Sequence, residues 1–282
     1  MTIAAILLAA GASRRMGSPK PLLAWGDCTL IEWEYAQLMA SVVDDIVIVC
    51  GSRMEHVRRV LGDAGRHIVF NARWPQGRAT SLAAGAAALM RPERETPECI
   101  VIQNVDQPTR PSIIDRLVEA RREGDLDIVQ PQYADDAGGE HGGHPVVLSG
   151  RLLLELSMVT DATYGLRAVL DRHPPTRVPF ERDPAVWIDL DTPDLLDDAR
   201  RVFGIRESGP RPREFAQERP AFLAGPVLAF TIVRDGEPGT PCEHPRLFSR
   251  SRAIGRISPA SPARMCSGIE TSWPTEWASH AG

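Results

Sequence analysis

The sequence predicts an α/β protein in which a mostly parallel sheet is packed between layers of helices. Short, continuous apolar runs recur along the chain, which is typical of strands buried on both faces of a sheet. These runs alternate with segments whose apolar residues have helical spacing, and the alternation continues to about residue 206. A polar, glycine-containing loop at 11–20 follows the first strand, and a polar loop at 104–108 follows a later one, where sheets of this kind bind their ligands.

The first elements carry the clearest signals. Residues 3–10 are entirely apolar and end at Gly11, which predicts a buried strand. Residues 29–41 have helical spacing, and Thr29 with Glu32 forms a capping box at the helix start. The same criteria predict further strands at 45–50, 67–70, 99–103, 127–131, 145–148 and 186–190. Further helices are predicted at 53–61, 79–90, 111–122, 150–156, 164–172 and 193–203.

The periodic pattern stops near residue 206. From Glu207 to Gly282 there are ten prolines in 76 residues, and periodic apolar segments fade. The sequence therefore predicts one folded domain at 1–206 and a disordered Pro/Arg-rich extension at 207–282.

Composition narrows the class of protein. The chain has 282 residues and a formal net charge of −5, with 43% apolar and 24% charged residues, as in soluble globular proteins. This mild acidity gives no reason to expect nucleic-acid binding, and no apolar run is long enough to span a membrane. The basic residues follow the first apolar run instead of preceding it, and the five cysteines form no CxxC pair. We therefore expect a cytoplasmic protein with reduced thiols.

The loop after the first strand has the composition of a phosphate-binding loop. It reads LAAGASRRMGSPK from Leu8 to Lys20, and its glycines allow the backbone to approach phosphate oxygens closely. Arg15 offers a bidentate fork, and Lys20, the only lysine among 32 basic residues, offers a compact ammonium. The pattern is neither a P-loop nor GxGxxG, which disfavours a dinucleotide-dependent oxidoreductase. The alternative interpretation is an ordinary basic surface loop.

Three carboxylates follow other predicted strands. Asp106 ends a buried strand, where a carboxylate can hold Mg²⁺ over phosphates. Asp189 and Asp191 are two residues apart and would point to the same side of a strand. These positions also have structural interpretations. Asp106 can be a turn former, and Asp191 or Thr192 can cap the following helix.

Two further polar segments are candidates for binding. Asn71 to Ser81 leads into a helix whose N-terminus can face a nucleotide. Gly142-Gly143-His144-Pro145 precedes a strand, and there His144 can hydrogen-bond a substrate. A lone histidine in a loop more often has no such role.

These motifs together resemble the MobA-like NTP transferase family. The first loop is similar to the family's LAAGxSxRMGxxK signature, and the similarity continues in order through four more segments over about residues 2–205. These are Asn71…Gly77…Ser81, Asp106-Gln107-Pro108, Gly143-His144-Pro145 and Asp189-Leu190-Asp191-Thr192-Pro193. LAAG with GHP and DxDTP looks most like the molybdenum cofactor cytidylyltransferase branch, whereas the guanylyl-transferring branch typically has LAGG and asparagines in place of the two aspartates.

The resemblance implies a Rossmann-like, three-layer nucleotidyltransferase fold of the GT-A type. It implies transfer of CMP from CTP to the terminal phosphate of molybdopterin in the molybdenum cofactor, with release of pyrophosphate and with Mg²⁺ as cofactor. The catalytic residues would be Arg15, Lys20 and Asp106. The metal ligands would be Asp106 and Asp191, with Asp189 as the alternative. The nucleotide would contact Ala9, Ala10, Gly11, Ser13, Gly17, Asn71, Gly77 and Ser81. The acceptor would contact Gly143, His144 and Pro145.

The partners implied are CTP, the molybdenum cofactor, and a molybdenum hydroxylase or its chaperone. Two alternatives remain open. The same fold can transfer a nucleotide from GTP or another NTP, or transfer it to a sugar, polyol or choline phosphate. The chain can also be a non-catalytic chaperone that binds the cofactor and delivers it.

Overall fold

The computed structural model describes residues 1–135, 137–180 and 183–206. The extension predicted at 207–282 lies outside the described residues. The strands of the described part are β1 (Ile3–Ala9), β2 (Ala24–Trp25), β3 (Cys28–Thr29), β4 (Asp45–Cys50), β5 (Ile68–Phe70), β6 (Cys99–Asn104), β7 (Ile128–Ala134), β8 (Glu140–Gly142), β9 (Val146–Ser149) and β10 (Thr176–Pro179). Its α-helices are α1 (Leu30–Ala40), α2 (Met54–Leu61), α3 (Arg78–Leu89), α4 (Pro111–Glu123), α5 (Leu153–Ser157), α6 (Leu166–Arg172) and α7 (Pro193–Val202).

The main sheet has the strand order β10-β7-β9-β6-β1-β4-β5, and β8 pairs with β7. The β1/β4, β1/β6, β4/β5 and β7/β10 pairs are parallel. The antiparallel pairs of this sheet all involve β8 or β9, and β2 and β3 form a separate antiparallel pair. The predicted mostly parallel α/β sheet is therefore confirmed, and the carboxyl ends of β1, β4 and β6 meet at one edge.

Helices cover both faces of this sheet. One apolar cluster joins the sheet to α1, α2, α4 and α7, and a second joins it to α3, α5 and α6. β1 contributes to both, because Ile3, Ala5 and Leu7 lie in the first cluster while Ala4 and Ile6 lie in the second. Burial on both faces explains why β1 is apolar at every position and not at alternate positions.

Local sequence signals explain where several helices begin. Glu32 Oε2 accepts a hydrogen bond from the Thr29 backbone N–H at 2.7 Å, as the predicted capping box requires. Pro111 and Pro193 occupy the first turns of α4 and α7. In the described part of the chain, no helix combines the length and the apolar character needed to cross a bilayer.

One predicted strand is wrong. Residues 186–190 form no strand: a single 3₁₀ turn at Pro184–Val186 leads into an irregular extended segment. Two carbonyls of this segment are bonded to His144 instead of to a neighbouring strand, because the His144 N–H donates to Val186 O and its ring lies at Ile188 O. The short strands β8 and β10 have too few apolar residues to be recognised in the sequence.

Candidate active site at the carboxyl ends of β1 and β6

The loop after β1 turns back on itself through two left-handed residues. Ser13 has φ of 52° and Gly17 has φ of 67°, which favours glycine at the second position. The Ser13 hydroxyl accepts a hydrogen bond from the Lys20 backbone N–H at 2.8 Å and so closes the loop. Buried Met16 anchors the loop in the core, while Gly17 stays exposed. The hydrogen bond to Ser13 and the buried Met16 together fix the backbone from which the Lys20 side chain extends.

The strand end beneath the loop is tightly held. Ala9 and Ala10 are buried, and the Ala10 carbonyl accepts the Ser52 N–H at 3.1 Å. Gly11 is exposed, and a Cβ placed there would meet no atom within 4 Å. The backbone at Gly11 is thus open to a ligand.

Lys20 lies among three carboxylates. Its Nζ is 2.7 Å from Asp106 Oδ2 and 2.8 Å from Asp191 Oδ1, and it is 3.8 Å from Asp189 Oδ1. Arg15 reaches Asp191 from the solvent side, with 2.9 Å between Nη2 and Oδ2. The structure therefore brings together the predicted phosphate-binding and metal-binding residues, although Lys20 and Asp191, for example, lie 171 positions apart.

Backbone hydrogen bonds join the three loops that carry these side chains. The Val105 N–H donates to Leu8 O at 3.0 Å, and the Leu190 N–H donates to Asp106 O at 2.8 Å. Thr192, and not Asp191, caps α7, since its hydroxyl accepts the Leu195 N–H. The Asp191 carboxylate is therefore available to Lys20.

The charges of the cluster shift one another's titration. Burial lowers the pKa of Lys20, but its hydrogen bonds to Asp106 and Asp191 outweigh this, and the pKa is raised. The same bond to Lys20 lowers the pKa of Asp191. Burial, followed by the charge of Asp106, raises the pKa of Asp189. Asp191 is thus the more strongly ionised carboxylate of the 189/191 pair.

The donor set suits a divalent cation. Asp106, Asp189 and Asp191 can each offer one oxygen, and these oxygens all lie within 4.8 Å of one another. Oxygens bound to one Mg²⁺ at about 2.1 Å lie at most about 4.2 Å apart, so small side-chain movements would bring the three onto one ion. Among the described residues, buried Asp189 Oδ1 has no hydrogen-bond partner. A hard cation would supply the missing partner.

Two of the predicted nucleotide contacts are buried and bond each other. The Asn71 side-chain amide donates to Thr80 Oγ1 at 2.9 Å and to Ser81 Oγ at 3.0 Å. Asn71 Oδ1 accepts the Arg73 N–H at 2.9 Å. Asn71 therefore ties the loop after β5 to the first turn of α3. Its amide is fully used within the protein.

Gly77, the residue before α3, has no room for a side chain. Its φ is 137°, and a Cβ would lie 2.1 Å from the Asp161 carboxylate. Asp161 Oδ1 accepts the Ala79 N–H at 3.4 Å, so this carboxylate lies at the start of α3. Glycine at this position therefore lets Asp161 approach the helix N-terminus.

The Gly143-His144-Pro145 segment is buried. A Cβ on Gly143 would lie 2.1 Å from Val186 O, and His144 is 8% exposed. His144 Nε2 lies 2.9 Å from Ile188 O, so Nε2 carries the proton, and Nδ1 has no partner in the described part of the chain. Burial lowers the pKa of His144 to about 4. The segment thus supports the stretch that leads to Asp189.

A buried polar cluster that the sequence did not reveal lies under the Asp106 loop. Glu34 on α1 and Gln103 on β6 are fully buried, and Gln103 Nε2 donates to Glu34 Oε2 at 3.0 Å. Gln103 also donates to the carbonyl of Gln107, and the Thr109 N–H bonds the Glu34 carboxyl. Burial raises the pKa of Glu34 well above its usual range. In the sequence, only the position of Glu34 on the apolar face of the helix predicted at 29–41 could have indicated this polar cluster.

An α/β sheet with a glycine-containing basic loop after β1, and with Asp106 after β6 close to Asp189 and Asp191, is typical of nucleotidyltransferases. The profile of the MobA-like NTP transferase domain matches residues 5–178, and the chain therefore belongs to this family. No curated protein shows significant sequence similarity to the chain.

Solved structures share the fold of this chain. Rv0371c from Mycobacterium tuberculosis H37Rv is 27% identical, with a TM-score of 0.58 over 72% of this chain and 97% of that one. Its homologue from Mycobacterium sp. strain JC1 is 28% identical, with a TM-score of 0.59 over 72% and 98%. A nucleotidyl transferase from Methanothermobacter thermautotrophicus (Mth528) is 21% identical, with a TM-score of 0.59 over 72% and 97%, and shows the shared fold.

Proposed function

We propose that this chain transfers CMP from CTP to the terminal phosphate of molybdopterin in the molybdenum cofactor and releases pyrophosphate. The observation that carries the proposal is the position of Lys20 against Asp106, Asp189 and Asp191, where the loops after β1 and β6 meet the segment before α7. The choice of CTP follows from the resemblance of LAAG, GHP and DLDTP to the cytidylyl-transferring branch. A solved synthetase with a similar fold is described as complexed with CTP.

The loop after β1 is the proposed triphosphate site. Gly11 and Gly17 keep its backbone open, and Ser13 holds its shape. Exposed Arg15 and half-buried Lys20 would neutralise the charge that develops on the leaving pyrophosphate. The backbone of Ala9 and Ala10, the buried side chains of Asn71 and Ser81, and half-buried Gly77 would shape the space for the base and ribose.

Mg²⁺ is the proposed cofactor, held by Asp106 and Asp191 with Asp189 beside them. When bound, Mg²⁺ would neutralise phosphate charge and orient the phosphate oxygens. Rv0371c, which shares this fold, is described in a complex with manganese. The three carboxylates, offset by Lys20 and Arg15, leave a local charge of about −1, which attracts a cation. A cation bound by the carboxylates would in turn release the Lys20 ammonium to pair with phosphate.

The proposed reaction is a direct displacement. An oxygen of the acceptor's terminal phosphate forms a bond to the α-phosphorus of CTP. The bond from that phosphorus to the oxygen bridging to the β-phosphorus breaks, and its electron pair leaves with pyrophosphate. The protein's own contribution is positioning and charge neutralisation by Lys20 and Arg15, with no covalent intermediate.

The proposed product is the cytosine dinucleotide form of the cofactor, and its proposed recipient is a molybdenum hydroxylase or its chaperone. We assign catalysis to a domain spanning residues 1–206. The buried Gly143-His144-Pro145 segment would act on the acceptor side by supporting residues 186–189.

The experiment is pyrophosphate release by the full chain with Mg²⁺, purified molybdenum cofactor and each of CTP, GTP, ATP and UTP in turn. Release with CTP alone is the expected result. Release with another nucleotide, or only with a sugar, polyol or choline phosphate as acceptor, would replace the proposed substrates and keep the nucleotidyltransferase class. Cofactor binding without release with any nucleotide would instead favour a chaperone.

A further inference from the structure

The side chain of Gln107, the residue after Asp106, connects two segments of the acidic cluster. Its Nε2 donates a hydrogen bond to Asp189 Oδ2 at 3.3 Å, and its Oε1 accepts one from Asn104 Nδ2 at 2.6 Å. An ionised carboxylate can only accept hydrogen bonds, and the Asn104 amide nitrogen can only donate them. Both partners therefore require the same orientation of the Gln107 amide.

The backbone of Gln107 is held on both sides of its side chain. The N–H donates to Asn104 O at 3.1 Å, and the carbonyl accepts from the fully buried amide of Gln103. Pro108, which follows, is buried and has a backbone φ fixed by its ring. Asn104 is the last residue of β6 and lies opposite Leu8 of β1 in the parallel pair. The Gln107 amide thus extends from a backbone anchored to the sheet.

This contact gives the two oxygens of Asp189 different surroundings. Oδ2 accepts from Gln107, and this is the one hydrogen bond that the Asp189 side chain makes to the described residues. Oδ1 is buried and has no hydrogen-bond partner in that part of the chain. It lies 3.8 Å from Lys20 Nζ, which is too long for a hydrogen bond. Asp189 therefore presents a single unpartnered oxygen to the cluster around Lys20.

The other two carboxylates are held by a charge and not by an amide. Asp106 Oδ2 and Asp191 Oδ1 lie 2.7 Å and 2.8 Å from Lys20 Nζ. A cation bound to these oxygens would displace the ammonium, because the two positive charges repel each other. The Gln107 amide is neutral, so its hydrogen bond to Asp189 can persist with a cation in the cluster.

Divalent cations differ in how they use carboxylate oxygens. Mg²⁺ requires a nearly octahedral set and is usually bound by a few carboxylates with water and phosphate oxygens. Ca²⁺ is larger, takes about six to eight oxygens, and often binds both oxygens of one carboxylate. A carboxylate that has one oxygen engaged by an amide therefore suits the smaller ion better.

We propose that Gln107 is a positioning residue that limits Asp189 to one oxygen and so makes the cluster selective for Mg²⁺ or Mn²⁺ over Ca²⁺. This inference rests on the proposed function, because that function supplies the divalent cation. Gln107 acts through Asp189 and takes no part in the transfer step. Without the amide, Asp189 Oδ2 would be released and the carboxylate could turn both oxygens to a larger ion.

Metal binding in the absence of nucleotide tests this inference independently of turnover. Dissociation constants are measured on the full chain for Mn²⁺ by electron paramagnetic resonance and for Ca²⁺ by competition. The proteins are wild type, Gln107→Met and Gln107→Leu; both variants lack the amide donor, so either one that folds is sufficient. Mn²⁺ binding should weaken about tenfold and Ca²⁺ binding should stay within about threefold. Gln37→Met, a change at another half-buried glutamine, is the matched control and should bind both ions as wild type does.

A double-mutant cycle shows whether Gln107 acts through Asp189. In an Asp189→Asn background, Q107M should change the Mn²⁺ affinity by less than about twofold, because the ligand that Gln107 positions is already altered. A loss as large as in the wild-type background would overturn the inference, since Gln107 would then act on another group.

The remaining outcomes separate this inference from the proposed function. No Mn²⁺ binding by the wild type, unchanged Mn²⁺ binding by Q107M and Q107L, or equal weakening of both ions would each overturn the inference. Gln107-dependent preference for Mn²⁺ without CMP transfer would support the inference and contradict the proposed function. CMP transfer by a wild type whose ion preference is unchanged in Q107M would support the function and overturn the inference.

Discussion

At the scale of single residues, the site depends on one ammonium group. Lys20 Nζ contacts Asp106 and Asp191, and it is held by a loop that its own backbone closes on Ser13. An arginine at this position would present a planar fork in place of a compact charge. The chain contains 32 basic residues, yet it uses lysine only here.

We predict that Lys20→Ala lowers kcat about a hundredfold to a thousandfold, the range observed when one preorganised charge partner is lost. Lys20→Arg should recover only part of this loss, since its charge is retained and its shape differs. Steady-state pyrophosphate release is the measurement. Activity within threefold of wild type in K20A would show that the ammonium does not act on the transition state.

His144 gives a prediction about pH. Its folded pKa of about 4 lies below the unfolded value of 6.5, so the unfolded chain binds more protons between these values. Stability should therefore fall as pH drops from 6.5 to 4, by up to about 3 kcal/mol. Urea unfolding of wild type and His144→Gln at pH 7 and pH 5 tests this, because the variant lacks the titration. Equal pH dependence in both proteins would refute it.

At the scale of elements, α1 and β6 together hold the Asp106 loop. Glu34 and Gln103 are buried against each other, and their bonds reach the backbone at Gln107 and Thr109. This cluster explains why a polar pair is retained in an otherwise apolar core. Its hydrogen bonds hold the Asp106 loop at Gln107 and at Thr109.

We predict that Glu34→Ala destabilises the fold by about 2 to 3 kcal/mol, because it leaves a cavity and removes the carboxyl that accepts from the Gln103 amide and the Thr109 N–H. Glu34→Gln should be tolerated. The folded pKa of Glu34 is raised, so its contribution is present below about pH 4.5 and is lost as pH rises above it. Urea unfolding from pH 4.5 to pH 8 should therefore show E34Q gaining stability relative to wild type. A constant difference across this range would contradict the prediction.

The individual strands show how much of the fold could be predicted from the sequence. β1, β4 and β6 could be recognised because burial on both faces makes them apolar throughout. The antiparallel direction of β9 could not be predicted, since the apolar pattern of a strand is the same in either direction. The prediction of a strand at 186–190 was wrong for a related reason. An apolar stretch can be buried by hydrogen bonds to His144 as well as by joining a sheet.

At the scale of the whole molecule, the site is assembled from segments far apart in the sequence that meet around Lys20. Sequence reasoning could identify Lys20 and the three carboxylates, because each follows an apolar strand or lies in a recognisable motif. It could not identify the contacts of Tyr133 with His141 and Trp187, because those rings come together only through the β7/β8 pairing and the irregular segment after residue 186.

A cation that binds only the folded chain should stabilise the whole molecule. We predict that Mn²⁺ at a hundred times its dissociation constant adds about 2.7 kcal/mol to the free energy of unfolding. Asp191→Asn should lose most of the accompanying rise in Tm. Asp171→Asn, a change at an exposed carboxylate on α6, should keep it. Equal rises in Tm for D191N and D171N would place the cation elsewhere.

The central claim is that the acidic cluster around Lys20 performs nucleotidyl transfer, and Asp106 tests it most directly. Pyrophosphate release from CTP with Mg²⁺ and molybdenum cofactor is measured for wild type, Asp106→Ala and, as the matched control, Asp171→Ala, together with the Tm of each protein. We predict that D106A loses turnover and retains its fold, while D171A behaves as wild type does. Unchanged turnover in D106A would contradict the account.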